Sequence, residues 1–449
     1  MSLKNGLASL FCALLLGGQT AAAQPPTYKL LYSAPDPSSQ GAAPVTIFEV
    51  APGLFYFLSA QGGQTFGPSI FSLSVTGVPK LIYSFQPETL SQALVQGSDG
   101  RLYGAVYNEP KRDTFYYSLT AAGQGLVKFQ VGQVGSGWMI TPVPGKLYDV
   151  VGNGTWNGFV RIDESCTVEV VQKLSQSQGA PDGSKLVLAS DGNLYGVGAQ
   201  TTELAPPFFI YRLTQSGGYT QIATFPTSFA AIYGGSLIAA SDGNLYGTLS
   251  SGGANNTGVI FKSTLSGQWS IAASFPPKES NQGMYDPNSL VEASGGALYG
   301  ATVNDAIFRY DLATQALTLA YQMNRHNLQG SCAPCNFIQG VDGKLYGTAA
   351  IGGPGGGAIF SLDFGLPKPL PSIEEIAPAS GSVGQKILFW GSHLLGATSV
   401  SFNGVPATVY HVNSTQALAA DVPAGAASGP VTITTPNGSV TSAQTFTVQ

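Results

Sequence analysis

The chain has 449 residues, a formal net charge of −5, and 10% charged against 43% hydrophobic side chains. That balance excludes charge-driven disorder and a basic nucleic-acid-binding surface. Three His and four Cys leave little from which to build a multi-ligand metal site, so neither a metal nor a cofactor is expected.

Residues 1–23 read as a signal peptide. Lys4 supplies the positive start, Leu7 to Leu16 form an apolar run too short for a bilayer core of about 30 Å, and Ala21-Ala22-Ala23 precede Gln24 as a small-residue cleavage site. Cys12 follows Phe11 where a lipoprotein signal wants a small residue, so lipidation is not expected. The mature chain is expected to be exported, to the periplasm, cell surface or medium. There it would not insert into a membrane, and disulfides can persist.

A repeat then takes over. SDGRLYG (98–104), SDGNLYG (190–196), SDGNLYGT (241–248) and VDGKLYGT (341–348) are its strong copies; APGLFYF (51–57), VPGKLYD (143–149) and SGGALYGAT (294–302) are weaker ones. Seven copies at a period of nearly fifty residues, each with room for four strands, are the pattern of a β-propeller. In each copy an apolar first strand meets an Asp-Gly turn, which should form a tight hairpin. The second strand starts at Leu-Tyr-Gly, the third carries aromatics (FIYRL 209–213, VIFKS 259–263), and the fourth resembles KLIYSF (80–85). Seven third strands are followed by only six fourth strands. YKLLYS (28–33) matches the missing one, so it is expected beside 358–362 as the outer strand of the last blade. That pairing would close the ring over residues 24–365 without a free sheet edge. The tyrosines after the marker leucines are expected to fill space between blades with their hydroxyls paired, and Asp99, Asp191, Asp242 and Asp342 to serve their turns.

LYGTLSSGGANNTGVIF (245–261) and LYGTAAIGGPGGGAIF (345–360) resemble the GloVer tandem-repeat family of bacterial exported proteins. The resemblance implies export and surface display and supplies no catalytic residues. It departs at 102–119 and 147–162, where the Gly-Gly signature is lost. After a Pro-rich linker (366–371), residues 372–449 show short alternating strands between Gly, Pro and Asn-Gly turns, the pattern of a β-sandwich. Pro378, Gly381, Gly384, Gly391 and the run Val400 to Gly404 are similar to IPT/TIG immunoglobulin-like domains, which implies a spacer, stalk or binding module. The expected fold class is all-β: a seven-bladed propeller followed by an immunoglobulin-like sandwich.

The long, variable connections join second to third strands and fourth strands to the next first strand, so they should crowd one face of the propeller. The opposite, short-turn face should be bland. Ligand-binding candidates lie on the long-loop face. Trp156 sits among Gly and Asn, where an indole could stack on a sugar, anchor a partner or fold back over its blade. Lys111 and Arg112 lie in the charged loop NEPKRD (108–113), and Arg325 and His326 in Asn324 to Asn327. Cys332 and Cys335 could be redox-active, metal-binding or a local disulfide. The absence of a strand–helix context and of enough further ligands favours a Cys332–Cys335 bridge, with Cys166 unpaired. No catalytic residue is nominated.

Two functions remain. The first is a non-enzymatic binding or adhesion protein, expected as a monomer, whose loop face grips a glycan or a cell-envelope partner. The alternative is a propeller-based polysaccharide or lactone lyase or hydrolase, which rests on fold analogy.

Overall fold

The computed structural model describes residues 25–34, 41–61, 67–86, 89–108, 113–130, 139–152, 157–175, 178–181, 186–200, 207–229, 236–280, 283–324, 331–351 and 356–449. After β1 (Thr27–Ser33), antiparallel strands follow in sets. Sheet 1 holds β2 (Pro44–Ala51), β3 (Leu54–Ser59), β4 (Ser69–Ser74) and β5 (Pro79–Ser84). Sheet 2 holds β6 (Thr89–Gln96), β7 (Leu102–Asn108), β8 (Asp113–Leu119) and β9 (Val127–Gln130). Sheet 3 holds β10 (Ile140–Val143), β11 (Lys146–Gly152), β12 (Asn157–Asp163) and β13 (Val168–Leu174). In sheet 4 the first strand is in two pieces, β14 (Ala180–Pro181) and β15 (Val187–Leu188), both on β16 (Leu194–Ala199), followed by β17 (Phe208–Leu213) and β18 (Tyr219–Thr224). Sheet 5 holds β19 (Leu237–Ala239), β20 (Leu245–Leu249), β21 (Val259–Ser263) and β22 (Trp269–Ser274). Sheet 6 holds β23 (Val291–Ala293), β24 (Ala297–Ala301), β25 (Ala306–Asp311) and β26 (Leu317–Gln322). Sheet 7 holds β27 (Ser331–Gln339), β28 (Leu345–Ile351) and β29 (Ala358–Asp363), with β1 as its outer strand.

The sheets are blades of a ring because each buries apolar side chains against the next. Tyr56, Leu58 and Ile70 of sheet 1 pack on Leu94, Leu102 and Tyr117 of sheet 2. Sheet 2 packs on sheet 3, 3 on 4, 4 on 5, 5 on 6 and 6 on 7. Tyr346 and Ile359 of sheet 7 then pack on Ile47, Phe55 and Phe71 of sheet 1, which closes the circle. At this seam the Phe55 and Tyr346 ring centroids are 4.3 Å apart. β1 runs antiparallel to β29, from Thr27 opposite Asp363 to Ser33 opposite Ala358.

The repeat motif encodes this packing. The glycine of Leu-Tyr-Gly faces the third-strand aromatic: Gly196 opposite Tyr211, Gly247 opposite Phe261, Gly300 opposite Phe308 and Gly347 opposite Phe360. The ring leaves no room for a side chain; a Cβ on Gly247 would lie 2.3 Å from Phe261 Cζ. Sheet 3 breaks the motif on both strands at once. Asp149 stands at the glycine position and Val160 opposite it, so the space that an aromatic would fill admits a side chain. Asp149 is fully buried and accepts a 2.6 Å hydrogen bond from the Tyr116 hydroxyl of sheet 2. In sheet 1 Phe57 replaces the glycine and stacks on Phe71 at 5.2 Å.

Residues 372–448 form the sandwich. One sheet is β30 (Ser372–Ala377), β32 (Lys386–Ser392), β36 (Ala417–Asp421) and β35 (Tyr410–Val412). The other is β31 (Ser380–Gly381), β38 (Gly438–Val448), β37 (Gly429–Thr435), β33 (Ser399–Phe402) and β34 (Val405–Pro406). Phe389, Phe402, Leu418, Ile433 and Phe446 form the core between the two sheets; Trp390 is buried too, outside this cluster.

Candidate functional site

The turns between first and second strands follow one plan. Gly97 N–H donates to Arg101 O at 2.9 Å, and Gly100 N–H to Gly97 O at 3.1 Å. The same pair of bonds recurs at 189–193, 240–244 and 340–344. Each is a three-residue hairpin loop in which only the glycine takes positive φ (+79° at Gly100). The aspartate is therefore there for another reason than backbone tolerance. Its carboxylate accepts from the backbone two residues on and from the tyrosine hydroxyl four residues on. Tyr103 reaches Asp99 at 2.8 Å, Tyr195 reaches Asp191 at 2.7 Å, Tyr246 reaches Asp242 at 2.9 Å and Tyr346 reaches Asp342 at 2.9 Å. The tyrosines fill the inter-blade space with their hydroxyls paired, as expected. Burial would raise the Asp191 carboxyl, but the hydrogen bonds from Asn193 and Tyr195 outweigh it and hold it below its ordinary value.

Neighbouring blades are laced at these turns. Glu49 of β2 is buried and accepts from Val341 N–H of sheet 7 at 2.9 Å and from Gly53 N–H at 2.7 Å. Glu292 of β23 accepts from Ser241 N–H at 2.8 Å, and Gln339 of β27 accepts from Ser294 N–H at 2.8 Å. Sheet 3 has Thr141 at the corresponding place, and Glu164, from the turn after β12, takes over. It accepts from the Ser98 hydroxyl at 2.6 Å and from Asp99 N–H at 3.0 Å. Burial pushes the carboxyls of Glu49 and Glu164 above their ordinary value. The sequence signal for these bridges is an acid or amide five or six residues ahead of the marker leucine, which the repeat analysis passed over.

This short-turn face is not bland. The C-terminal sandwich is seated on it. Asn413 Nδ2 donates to Ser98 O at 2.6 Å, Asn437 Nδ2 to Val341 O at 2.7 Å, and Thr141 Oγ1 lies 3.3 Å from Gln416 Oε1. Gly396 lies against Pro52, its Cβ position 3.1 Å from Pro52 Cγ. The linker is part of the seat rather than a free tether. The Ser294 hydroxyl donates to Pro367 O, Asn437 Nδ2 also reaches Pro369 O at 3.1 Å, and Leu366 packs against the cluster between sheets 6 and 7.

The long connections lie at the other end of the blades. Trp156, Lys111, Arg112, Arg325 and His326 all lie outside the described residues. The strands they join are described: Asn108 pairs with Asp113 across the connection that holds Lys111 and Arg112, and Gly152 with Asn157 across the one that holds Trp156. These two connections occupy matching positions on adjacent blades. Cys332 and Cys335 belong to β27, and their side chains are outside the described set. Cys166 is a free cysteine, half-buried, with Sγ 3.5 Å from Ser118 Oγ. Among the described residues no group of three His, Cys, Asp or Glu could hold a metal ion, and no helix is long and apolar enough to cross a membrane.

One described part of the loop face is a polar ledge between sheets 5 and 6. Asn256, Asp286 and Asp305 sit at φ +51°, +56° and +67°, a region that Asn and Asp tolerate better than other side chains. Asp286 N–H donates to Thr257 O at 2.9 Å and Val303 N–H to Asp286 O at 3.1 Å, which ties three connections together. Lys278 Nζ lies 4.9 Å from the Tyr285 ring centroid and 3.9 Å from Asp286 Oδ2. Lys278 and Asn255 are exposed on this ledge, and Tyr285 is half-buried. Sequence reasoning did not single out these residues. Their signal is the recurrence of Asn and Asp in three consecutive connections, at 255–256, 286–288 and 304–305.

Two family models match the chain. Residues 180–399 match the Gloeobacter/Verrucomicrobia repeat, and residues 371–448 match the IPT/TIG domain. The chain carries Gloeobacter/Verrucomicrobia repeats and an IPT/TIG domain. The repeat match begins C-terminal to 102–119 and 147–162, the stretches where the motif decays. No curated protein sequence matches the chain. Among solved structures, the extracellular domain of a putative hybrid two-component system from B. thetaiotaomicron is 13% identical, with a TM-score of 0.48 over 94% of this chain and 57% of that one. PorZ, a surface component of the type-IX secretion system of Porphyromonas gingivalis, is 12% identical, with a TM-score of 0.46 over 92% of this chain and 59% of that one. The polysaccharide lyase Uly1 is 12% identical, with a TM-score of 0.47 over 73% of this chain and 90% of that one.

Proposed function

We propose that this repeat protein is an exported, monomeric binding protein that grips a glycan or a cell-envelope partner with the loop face of its propeller and performs no chemistry on it. The observation that carries this reading is the asymmetry of the two faces. The short-turn face is committed to hydrogen bonds within the chain, to its own tyrosines, to the next blade and to the IPT/TIG domain. The long connections remain for a partner, on a rigid scaffold that holds them in place. Trp156 and the Lys111–Arg112 pair, on matching connections of adjacent blades, supply a stacking surface and cationic donors, and the ledge at Asn255, Lys278 and Tyr285 supplies polar contacts further round the ring. Aromatic and amide groups of this kind suit hydroxyl-rich ligands.

A glycan array and a pull-down against envelope polymers test the reading, with the mature chain beside Trp156→Ala and Lys111→Ala/Arg112→Ala variants. Binding by the parent chain that drops at least tenfold in a loop variant is expected. Silence of the parent chain in both assays would sink the proposal. Export is tested by fractionating cells and medium and sequencing the N-terminus, which is expected at Gln24.

A further inference from the structure

The two asparagines of the IPT/TIG domain that touch the propeller do the same thing twice. Asn413 donates to Ser98 O, and Asn437 donates to Val341 O. Ser98 and Val341 are equivalent residues, each directly before the aspartate of its turn and four residues before its marker leucine. Two loops of the sandwich thus bind the same carbonyl on two blades, sheets 2 and 7, which flank sheet 1. Gly396, in a third loop, rests on Pro52 in the turn of sheet 1, and Gln416 approaches Thr141 of sheet 3. The seat therefore spans the first-to-second-strand turns of sheets 7, 1 and 2 and the first strand of sheet 3, which are four consecutive blades. These turns are the ends of the innermost strands, so a body resting on all four at once covers one side of the ring's short-turn mouth. Leu395 and Ser414, in the seated loops, are buried. The turns of sheets 4 and 5 have the same sequence as the seated ones or nearly so, yet Gly192 and Gly243 have nothing within 4 Å of a Cβ position. The seat is off-centre and specific, not a uniform stacking on the ring.

We propose that the IPT/TIG domain is a fixed cap over one side of the short-turn mouth of the propeller, held on the turns of sheets 2 and 7 by the Asn413 and Asn437 amides, so that the loop face is left as the open face of the ring. This deepens the binding reading: with one side of the short-turn mouth taken by the chain's own domain, a partner meets the ring from the loop face. The cap stands or falls without any ligand, so its test is separate from the binding assays.

Hydrogen exchange on the full chain reads it directly. The parent is compared with Asn413→Asp/Asn437→Asp, which keeps side-chain shape and replaces each amide donor with a carboxylate that repels the carbonyl it faced. Exchange at 98–101 and 341–344 is expected to rise roughly tenfold in the variant, the scale of losing a buried hydrogen bond. Exchange at 190–193 and 241–244, the uncapped turns, should stay unchanged. Equal exchange of parent and variant at the capped turns would overturn the proposal. Small-angle scattering of the parent alone gives an independent reading that needs no variant to fold. A single compact particle is expected, and a profile of two bodies on a flexible tether would overturn the cap.

Discussion

Where a glycine follows Leu-Tyr it is fixed by what it faces, not by a need for unusual backbone angles: a Cβ on Gly196, Gly247, Gly300 or Gly347 would meet the third-strand aromatic, and on Gly247 or Gly300 also a backbone oxygen, Ser236 O or Ser289 O. Gly247→Ala should therefore cost about 1–3 kcal/mol of unfolding free energy, the range for overpacking a filled core, measured by urea denaturation. Gly247→Ala/Phe261→Val should cost less than the two single changes added together, because the Asp149–Val160 pair of sheet 3 shows that a smaller partner admits a side chain. Glu49 carries a second prediction. Its carboxyl is raised by burial, so the folded state holds its proton more tightly than the unfolded chain does. The stability this contributes is present at acid pH and is lost as the pH climbs from the ordinary carboxyl value through the folded one. Glu49→Gln keeps one acceptor oxygen but turns its NH2 toward the other N–H, a cost that does not vary with pH; it should remove that falling limb, so that its stability relative to the parent improves as the pH rises above the ordinary carboxyl value in pH-resolved denaturation. Asp191 and Asp242 act with the opposite sign. Their lowered carboxyls contribute above the ordinary value, and that contribution disappears as the pH falls through the folded one. In the sequence, Asp and Tyr each read correctly as structural, but the bond between them four residues apart became visible only in three dimensions.

At the scale of strands, ring closure rests on β1. Its partner β29 lies more than three hundred residues away in the chain, yet the pairing could be read from the sequence, because six fourth strands cannot complete seven blades. Removing residues 27–33 strips sheet 7 of its outer strand and bares the edge of β29, an unpaired template for association. The deletion should lower the thermal midpoint and give larger, concentration-dependent species than the parent in light scattering. A truncated chain with the parent's midpoint and the parent's scattering profile at all concentrations would refute this role. The loop-face candidates were legible only as positions. Trp156, Lys111, Arg112, Arg325 and His326 could be assigned to connections because strand counting places the connections, but periodicity carries no information about how an irregular segment is arranged. The Asn255–Asp286 ledge had no repeat signature and so left no trace in the periodicity.

At the scale of the whole molecule, the chain determined by itself its all-β class, its blades, its closure and its two-part organisation. Each of these follows from patterns repeated along the chain: a hydrophobic alternation, a turn motif, a period. The seating of the IPT/TIG domain was decided only in the tertiary structure. The sequence suggested a spacer behind a Pro-rich tether and an idle turn face, whereas the linker is built into the seat and the face is occupied. Those contacts join amides to backbone carbonyls that are 315 positions apart for Asn413 and Ser98 and 96 for Asn437 and Val341. Every residue offers such a carbonyl, so nothing in the order of side chains marks which ones will be met. A core announces itself by what it must bury; a polar seat between two finished domains depends on where their surfaces come to face each other.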